Sequence, residues 1–279
     1  MRIINISLLT ETVKRLFIEA NVRLPVDVRD RIRECRNHET YPIAVDMLDA
    51  IIENFEIAAE KSMPVCQDTG MVCVFLEIGC DARIEGCVYA AVDEGVRQAR
   101  KEGCLRASVV TDPLERRNSG DNTPALVYLD FVEGDGVAVT VAPKGFGSEN
   151  MSRVAMLNPG DGRDGVLNFV IETVKKAGAN PCPPIVVGVG IGGSFDKTAL
   201  LAKKALLRPL GTRHPNAVYA DMEKELLEKI NTLGIGPAGF GGKTTALFAA
   251  IETMPTHIAG LPVAVNINCH ASRHASAAL

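Results

Sequence analysis

Met63-Pro64-Val65-Cys66-Gln67-Asp68-Thr69-Gly70, running on into Met71-Val72-Cys73-Val74-Phe75-Leu76, is the stretch on which the reading of this chain turns. Before it, apolar residues recur at helical spacing; after it, they run together as in a buried strand. Between the two lie a thiol, an amide, a carboxylate and a hydroxyl on four consecutive residues. Pro64 stiffens one side and Gly70 frees the other, so the segment is a shaped loop between packed elements. Loops of this kind carry ligand and catalytic groups. A polar turn with a half-buried thiol fits the same residues.

Upstream, Leu9, Val13, Leu16, Phe17 and Ala20 predict an amphipathic helix, with Ser7 or Thr10 as its cap. Pro25 interrupts it, and a short helix follows with Val28, Ile32 and Cys35 on one face. Residues 42–61 predict a third helix whose buried stripe is Ala44, Leu48, Ile51, Ile52, Phe55 and Ala59. Downstream, residues 72–78 read as a strand and 86–101 as a helix. Residues 126–132 and 137–141 flank Glu133-Gly134-Asp135-Gly136, a hairpin signal. A glycine-rich polar loop covers 143–150, and a helix is expected over 164–176. An apolar strand at 185–191, helices over 195–206 and 217–232, and an apolar run at 262–268 ending on Cys269-His270 complete the pass. The fold class is mixed α and β: a helical N-terminal segment, then an α/β core with short strands and glycine-rich loops. No repeat or linker divides residues 1–279, which read as a single domain.

The 279 residues are 47% apolar and 23% charged, the balance of an ordinary globular chain with a sizeable core. A net charge of −4 without a basic block excludes nucleic acid and anionic membrane surfaces as expected partners. No apolar run approaches the roughly 20 residues a membrane span needs. Nothing at the N-terminus resembles a leader, so a cytoplasmic location is expected. Eight cysteines in such a chain are expected to be thiols or metal ligands rather than disulfides. With no Trp and 5% aromatics, base-stacking platforms are not expected.

Cys66, Cys73, Cys80 and Cys87 recur at intervals of seven, but the segment passes from loop to strand to turn to helix, so they share no face. Cys73, Cys80 and Cys87 have the neighbours of buried structural thiols. Cys66, Cys182 and Cys269 differ: each sits where a loop meets a strand, among polar or proline neighbours. Three thiolates from distant loops can hold a [4Fe–4S] cluster with one iron open as a Lewis acid. Spacing alone favours three unrelated cysteines. Gly188-Val189-Gly190-Ile191-Gly192-Gly193 matches a dinucleotide fingerprint, yet no second strand ending in an acid follows, which favours a tight strand-to-helix turn. Gly241-Gly242-Lys243-Thr244 resembles the end of a phosphate loop, but Pro237 stands at the first glycine position, and ATP binding is discounted.

The chain resembles the α subunit of the two-subunit, iron–sulfur (class I) fumarate hydratases nearly end to end. The most specific pieces are Pro64-Val65-Cys66-Gln67-Asp68-Thr69-Gly70, Lys144-Gly145-Phe146-Gly147-Ser148-Glu149-Asn150, Gly192-Gly193-Ser194-Phe195-Asp196-Lys197, and Asn268-Cys269-His270 with Arg273-His274. The related L-tartrate dehydratase α subunit shares the Cys66 and Cys182 regions; the middle loop and the basic C-terminal cluster favour fumarate. The resemblance implies a [4Fe–4S] cluster on Cys66, Cys182 and Cys269. It implies substrate contacts from Gln67, Arg106 and the backbone at Gly147. It makes Asp68 the donor of a proton to the departing hydroxyl of (S)-malate, a role in which burial helps a carboxyl keep its proton. His257 is implied as an active-site histidine tuning that proton; its alternative is a satisfied polar residue under a loop. His270, Arg273 and His274 either orient Cys269 or form a solvated cluster. The base and further carboxylate-binding groups belong to the other half of the enzyme, so a separate β subunit is implied, in a heterotetramer or similar assembly. Tartrate dehydration and a non-catalytic iron–sulfur subunit are the competing readings.

Overall fold

The computed structural model describes residues 2–279. In chain order the elements are β1 (Arg2–Asn5), α1 (Ile6–Val22), α2 (Val26–His38), α3 (Pro42–Lys61), β2 (Met71–Gly79), β3 (Ala82–Glu85), α4 (Val88–Glu102), β4 (Leu126–Val132), β5 (Val137–Lys144), α5 (Phe146–Glu149), β6 (Arg153–Leu157), α6 (Gly162–Ala177), β7 (Ile185–Gly193), α7 (Phe195–Ala205), α8 (Ala217–Asn231), β8 (Ala246–Thr256), β9 (Leu261–Asn268) and β10 (Ala275–Ala278). The mixed α and β class holds, as does the helical N-terminal segment. Among the described residues, no helix is long and apolar enough to cross a membrane. The chain forms two compact units. One takes the residues up to Pro25, Asn54–Phe146 and Arg273–Leu279; the other takes Val26–Glu53 and Gly147–Ser272.

In the first unit, α1 and α4 pack against a four-stranded sheet of order β10-β5-β2-β4. Leu9, Val13, Leu16 and Phe17 of α1 meet Val92, Val96 and Ala99 of α4 and Val72, Val74 and Leu76 of β2 in one core. The helices approach closely because position 95 is glycine: a Cβ there would lie 2.7 Å from the Thr10 carbonyl oxygen. α1 is capped by Asn5, whose side chain accepts the Ser7 N–H at 2.8 Å, and not by Ser7 or Thr10. The reason is β1, which pairs in parallel with β3 as far as Asn5 and delivers that residue in the extended conformation a cap needs.

The hairpin expectation fails in its pairing. Both strands and the turn exist, but β2 lies between them, parallel to β4 and antiparallel to β5. Residues 72–76 of β2 are all buried, and a run apolar on both faces is satisfied only inside a sheet. The turn is wrapped around the end of β2: Gly79 N donates to Gly136 O at 2.7 Å, Cys80 N to Val132 O at 2.8 Å and Asp81 N to Gly134 O at 2.9 Å. Cys80 in the turn between β2 and β3 and Cys87 at the cap of α4 are exposed, which corrects their reading as buried thiols; Cys73 in β2 is buried.

In the second unit the sheet order is β6-β9-β7-β8. Val187, Val189 and Ile191 of β7 join a core with Val166, Val170 and Val174 of α6 and Met222, Leu226 and Ile230 of α8. The alternate residues face the other way. There Gly188 and Gly190 let α7 approach until a Cβ would stand 2.2 Å from Ala202 O and 2.1 Å from Thr198 O. The glycine run is therefore a strand–helix packing device, as the turn reading held. The Gly242-Lys243 turn is also structural. Lys243 N donates to Glu39 Oε2 at 2.7 Å, and its Nζ donates to His38 O at 3.2 Å. Burial pushes the Glu39 carboxyl up, but the backbone N–H groups of Tyr41, Lys243 and Thr40 outweigh it and hold it below its ordinary range.

Candidate active site

The loop ahead of β2 is clamped from several directions within the first unit. α3 ends at Ser62, left-handed at φ 52°, with Met63 N donating back to Ala58 O at 3.0 Å. Pro64 then prevents the helix from resuming. Val65 is held at both backbone groups: its N–H donates to Asn21 O and its carbonyl accepts from Asn54 Nδ2, each at 2.9 Å. The half-buried Cys66 Sγ accepts the Asp68 N–H at 3.4 Å and lies 3.7 Å from Gln67 Oε1. Asp68 Oδ1 accepts from Gly70 N at 3.1 Å and Oδ2 from Phe146 N at 2.9 Å. The carboxylate thus joins the Cys66 loop to the start of α5. A Cβ on Gly145 would sit 3.2 Å from Asp68 Oδ2, and one on Gly70 would sit 2.8 Å from Lys144 N, so glycines admit this close approach.

Arg106 is brought to the same loop by its backbone. Thr69 Oγ1 accepts the Arg106 N–H at 2.9 Å and donates to Arg106 O at 3.3 Å, while the arginine side chain is exposed. Asn122, fully buried, donates from Nδ2 to Gly70 O at 3.1 Å and accepts the Ser108 N–H on Oδ1 at 2.8 Å. Arg273 is buried and donates from Nη2 to the Asp68 carbonyl. It belongs with the Cys66 loop and not with a solvated cluster. The structure therefore assembles Cys66, Gln67, Asp68 and Arg106. Sequence reasoning missed the clamps Thr69, Asn122 and Asn54. The run Asp121-Asn122-Thr123-Pro124 carried only the signal of a turn.

In the second unit, Cys182 follows α6 with a left-handed φ of 54°. Its carbonyl accepts from both the backbone N–H of His270 at 3.2 Å and His270 Nδ1 at 3.0 Å. Because β7 and β9 pair Val186 with Asn268, Cys182 and Cys269 lie at neighbouring strand ends. All eight cysteines are thiols outside any disulfide. Burial pushes the Cys35 thiol above its usual range, as fits a core residue. Cys182 is exposed, and Cys66 and Cys269 are half-buried. Accessible thiols at loop–strand junctions are the soft donor set an iron–sulfur cluster takes. Among the described residues, no three His, Cys, Asp or Glu side chains group closely enough for a single metal ion. A cluster spreads its thiolates more widely than one ion does.

Gly147 is exposed at the start of the second unit, with Glu149 anchoring the segment. Glu149 accepts from Lys203 Nζ and from Asn266 Nδ2, both at 2.7 Å, and the same Asn266 nitrogen donates to Ser152 Oγ at 2.7 Å. His257 is exposed between β8 and β9, where its Nδ1 accepts the Ala259 N–H at 3.1 Å. The eight residues of β9, about 25 Å of strand, separate it from Cys269. The structure does not bring those two together within the chain.

The first unit thus carries a thiol, an amide and a carboxylate on one clamped loop with an arginine pinned beside it, and the second carries two thiols at paired strand ends. The profile of the fumarate hydratase (Fumerase) family matches residues 10–278, and the chain belongs to that family of hydro-lyases. A protein of Methanocaldococcus jannaschii, provisionally named L(+)-tartrate dehydratase subunit alpha, is 46% identical over 275 residues, covering 96% of each chain. The L(+)-tartrate dehydratase subunit alpha of Escherichia coli K12 is 33% identical over 269 residues, 95% of this chain and 88% of that one. The protein of the same name from Shigella boydii matches to the same extent.

Proposed function

We propose that this chain is the cluster-binding α subunit of a hydro-lyase that interconverts (S)-malate and fumarate, with Cys66, Cys182 and Cys269 as ligands of a [4Fe–4S] cluster. The observation that carries the reading is the double hydrogen bond from His270 to the Cys182 carbonyl, which ties the backbone at Cys182 to the residue that follows Cys269. When bound, the cluster supplies a Lewis acid for a substrate oxygen. The remaining work falls to the side chains. Arg106 pairs with a substrate carboxylate through its planar fork, and its pinned backbone leaves only the side chain to move. Asp68 carries the proton to the departing hydroxyl. Each of its oxygens accepts one backbone N–H, which fixes the carboxyl group and leaves a lone pair free on each for the proton. Gln67 and the backbone at Gly147 contact the substrate. His257 is proposed to tune the Asp68 proton, although within the chain β9 separates it from Cys269.

The relatives are named as alpha subunits, and this supports a β subunit that supplies the base and further carboxylate-binding groups, in a cytoplasmic heteromer. Their names also favour a second reading, dehydration of L-tartrate, which differs from malate by one hydroxyl. The Lys144–Asn150 loop and the basic residues His270, Arg273 and His274 favour malate. The test is anaerobic co-purification with the β subunit and comparison of kcat/KM on (S)-malate and L-tartrate. The malate reading expects a preference of about tenfold or more for malate, within the range a single hydroxyl contact can produce. The reverse preference supports tartrate, and turnover of neither rejects both.

A further inference from the structure

Arg273 is 5% exposed, and its one hydrogen bond goes from Nη2 to the Asp68 carbonyl. Its Nε and Nη1 are buried without a hydrogen-bond partner, and it makes no ion pair among the described residues. Buried arginines are normally paired, because a guanidinium removed from water without a counter-charge is strongly penalised. An uncharged side chain of similar length would avoid that penalty. A buried charge kept without a partner marks a position selected for something other than stability. The atom it grips is informative. The Asp68 carbonyl lies between the carboxylate that bridges to Phe146 and the Thr69 hydroxyl that pins Arg106. A donor at that carbonyl therefore acts on the backbone from which both the Asp68 carboxylate and the Thr69 hydroxyl that holds the Arg106 backbone project.

We propose that Arg273 is a positioning residue for turnover, acting through the Asp68 backbone and not through substrate capture. The proposal rests on the hydro-lyase reading above for its kinetic consequence, though not for its structural one. Arg273→Gln and Arg273→Lys in the assembled, cluster-loaded enzyme test it. Misplacement of a reacting group by about 1 Å can lower rates on the order of a hundredfold. The glutamine variant is accordingly expected to lose about a hundredfold in kcat with KM changed less than about threefold. Lysine keeps a charged donor for the carbonyl and is expected to recover about tenfold of that loss. Hydrogen exchange over residues 64–72 of the cluster-free chain is the second readout. It is expected to quicken about tenfold in the glutamine variant and to stay near wild type in the lysine variant. Wild-type kcat in Arg273→Gln overturns the proposal. So do equal losses in both variants that track a common fall in Tm, or a change confined to KM. If the wild-type assembly turns over neither malate nor tartrate, the functional reading fails by itself, and the exchange result decides the positioning claim: unchanged exchange overturns it.

Discussion

Asn122 shows how a single residue without reactive chemistry holds the candidate site. It is fully buried, left-handed at φ 66°, and satisfies the Gly70 carbonyl and the Ser108 N–H together. Alanine would orphan both groups and strain the backbone, so Asn122→Ala is expected to lower unfolding free energy by about 2–4 kcal/mol in urea melts. KM for the dicarboxylate should rise as the Arg106 loop loosens. Glu39 gives the residue-scale prediction for pH. Its folded carboxyl lies below the ordinary value near 4.5, through backbone N–H bonds that outweigh burial. A depressed folded value means its stabilisation is fully present above about pH 4.5 and is lost as pH falls through the folded value. Stability of Glu39→Gln should therefore fall less steeply than wild type below about pH 4.5, as measured by urea midpoints. At this scale Cys66, Gln67 and Asp68 were legible because their chemistry is dense on one loop. Asn122 and Thr69 were not, because a buried clamp is defined by the long-range groups it meets. Arg273 could be read only as part of a basic cluster.

The elements divide by how local their causes are. The helices α3, α4, α6, α7 and α8 match their expected spans within two residues, since the 3.6-residue period is written in the segment itself. Strands β1, β3, β6, β8 and β10 went unread, being short or flanked by partners remote in sequence. The hairpin at residues 126–144 was locally convincing, yet β2 took the place between its strands. Burial of a two-faced apolar run prevailed over turn chemistry. Close backbone approach is the element-scale feature most open to test. Gly190→Ala would bring a Cβ to 2.1 Å from Thr198 O and must push α7 off β7. Overpacking of this kind is expected to cost about 3 kcal/mol or more, seen as a lower Tm or insoluble protein. Gly134→Ala, with nothing within 4 Å but a φ of +89°, should cost only about 1 kcal/mol.

Across the whole molecule, the chain passes between two units, each with its own sheet and core, and no composition shift marks the crossings. The first unit carries Cys66, Asp68 and Arg106; the second carries Cys182 and Cys269. The central claim is that three thiols remote in sequence are ligands of one cluster. Its most direct measurement is iron and sulfide content after anaerobic reconstitution of the wild-type chain and its single-cysteine variants. The account predicts about four irons and four sulfides per wild-type chain. It predicts near-complete loss in each of Cys66→Ala, Cys182→Ala and Cys269→Ala, and retention in Cys73→Ala. Full iron content in any one of the first three variants would contradict it.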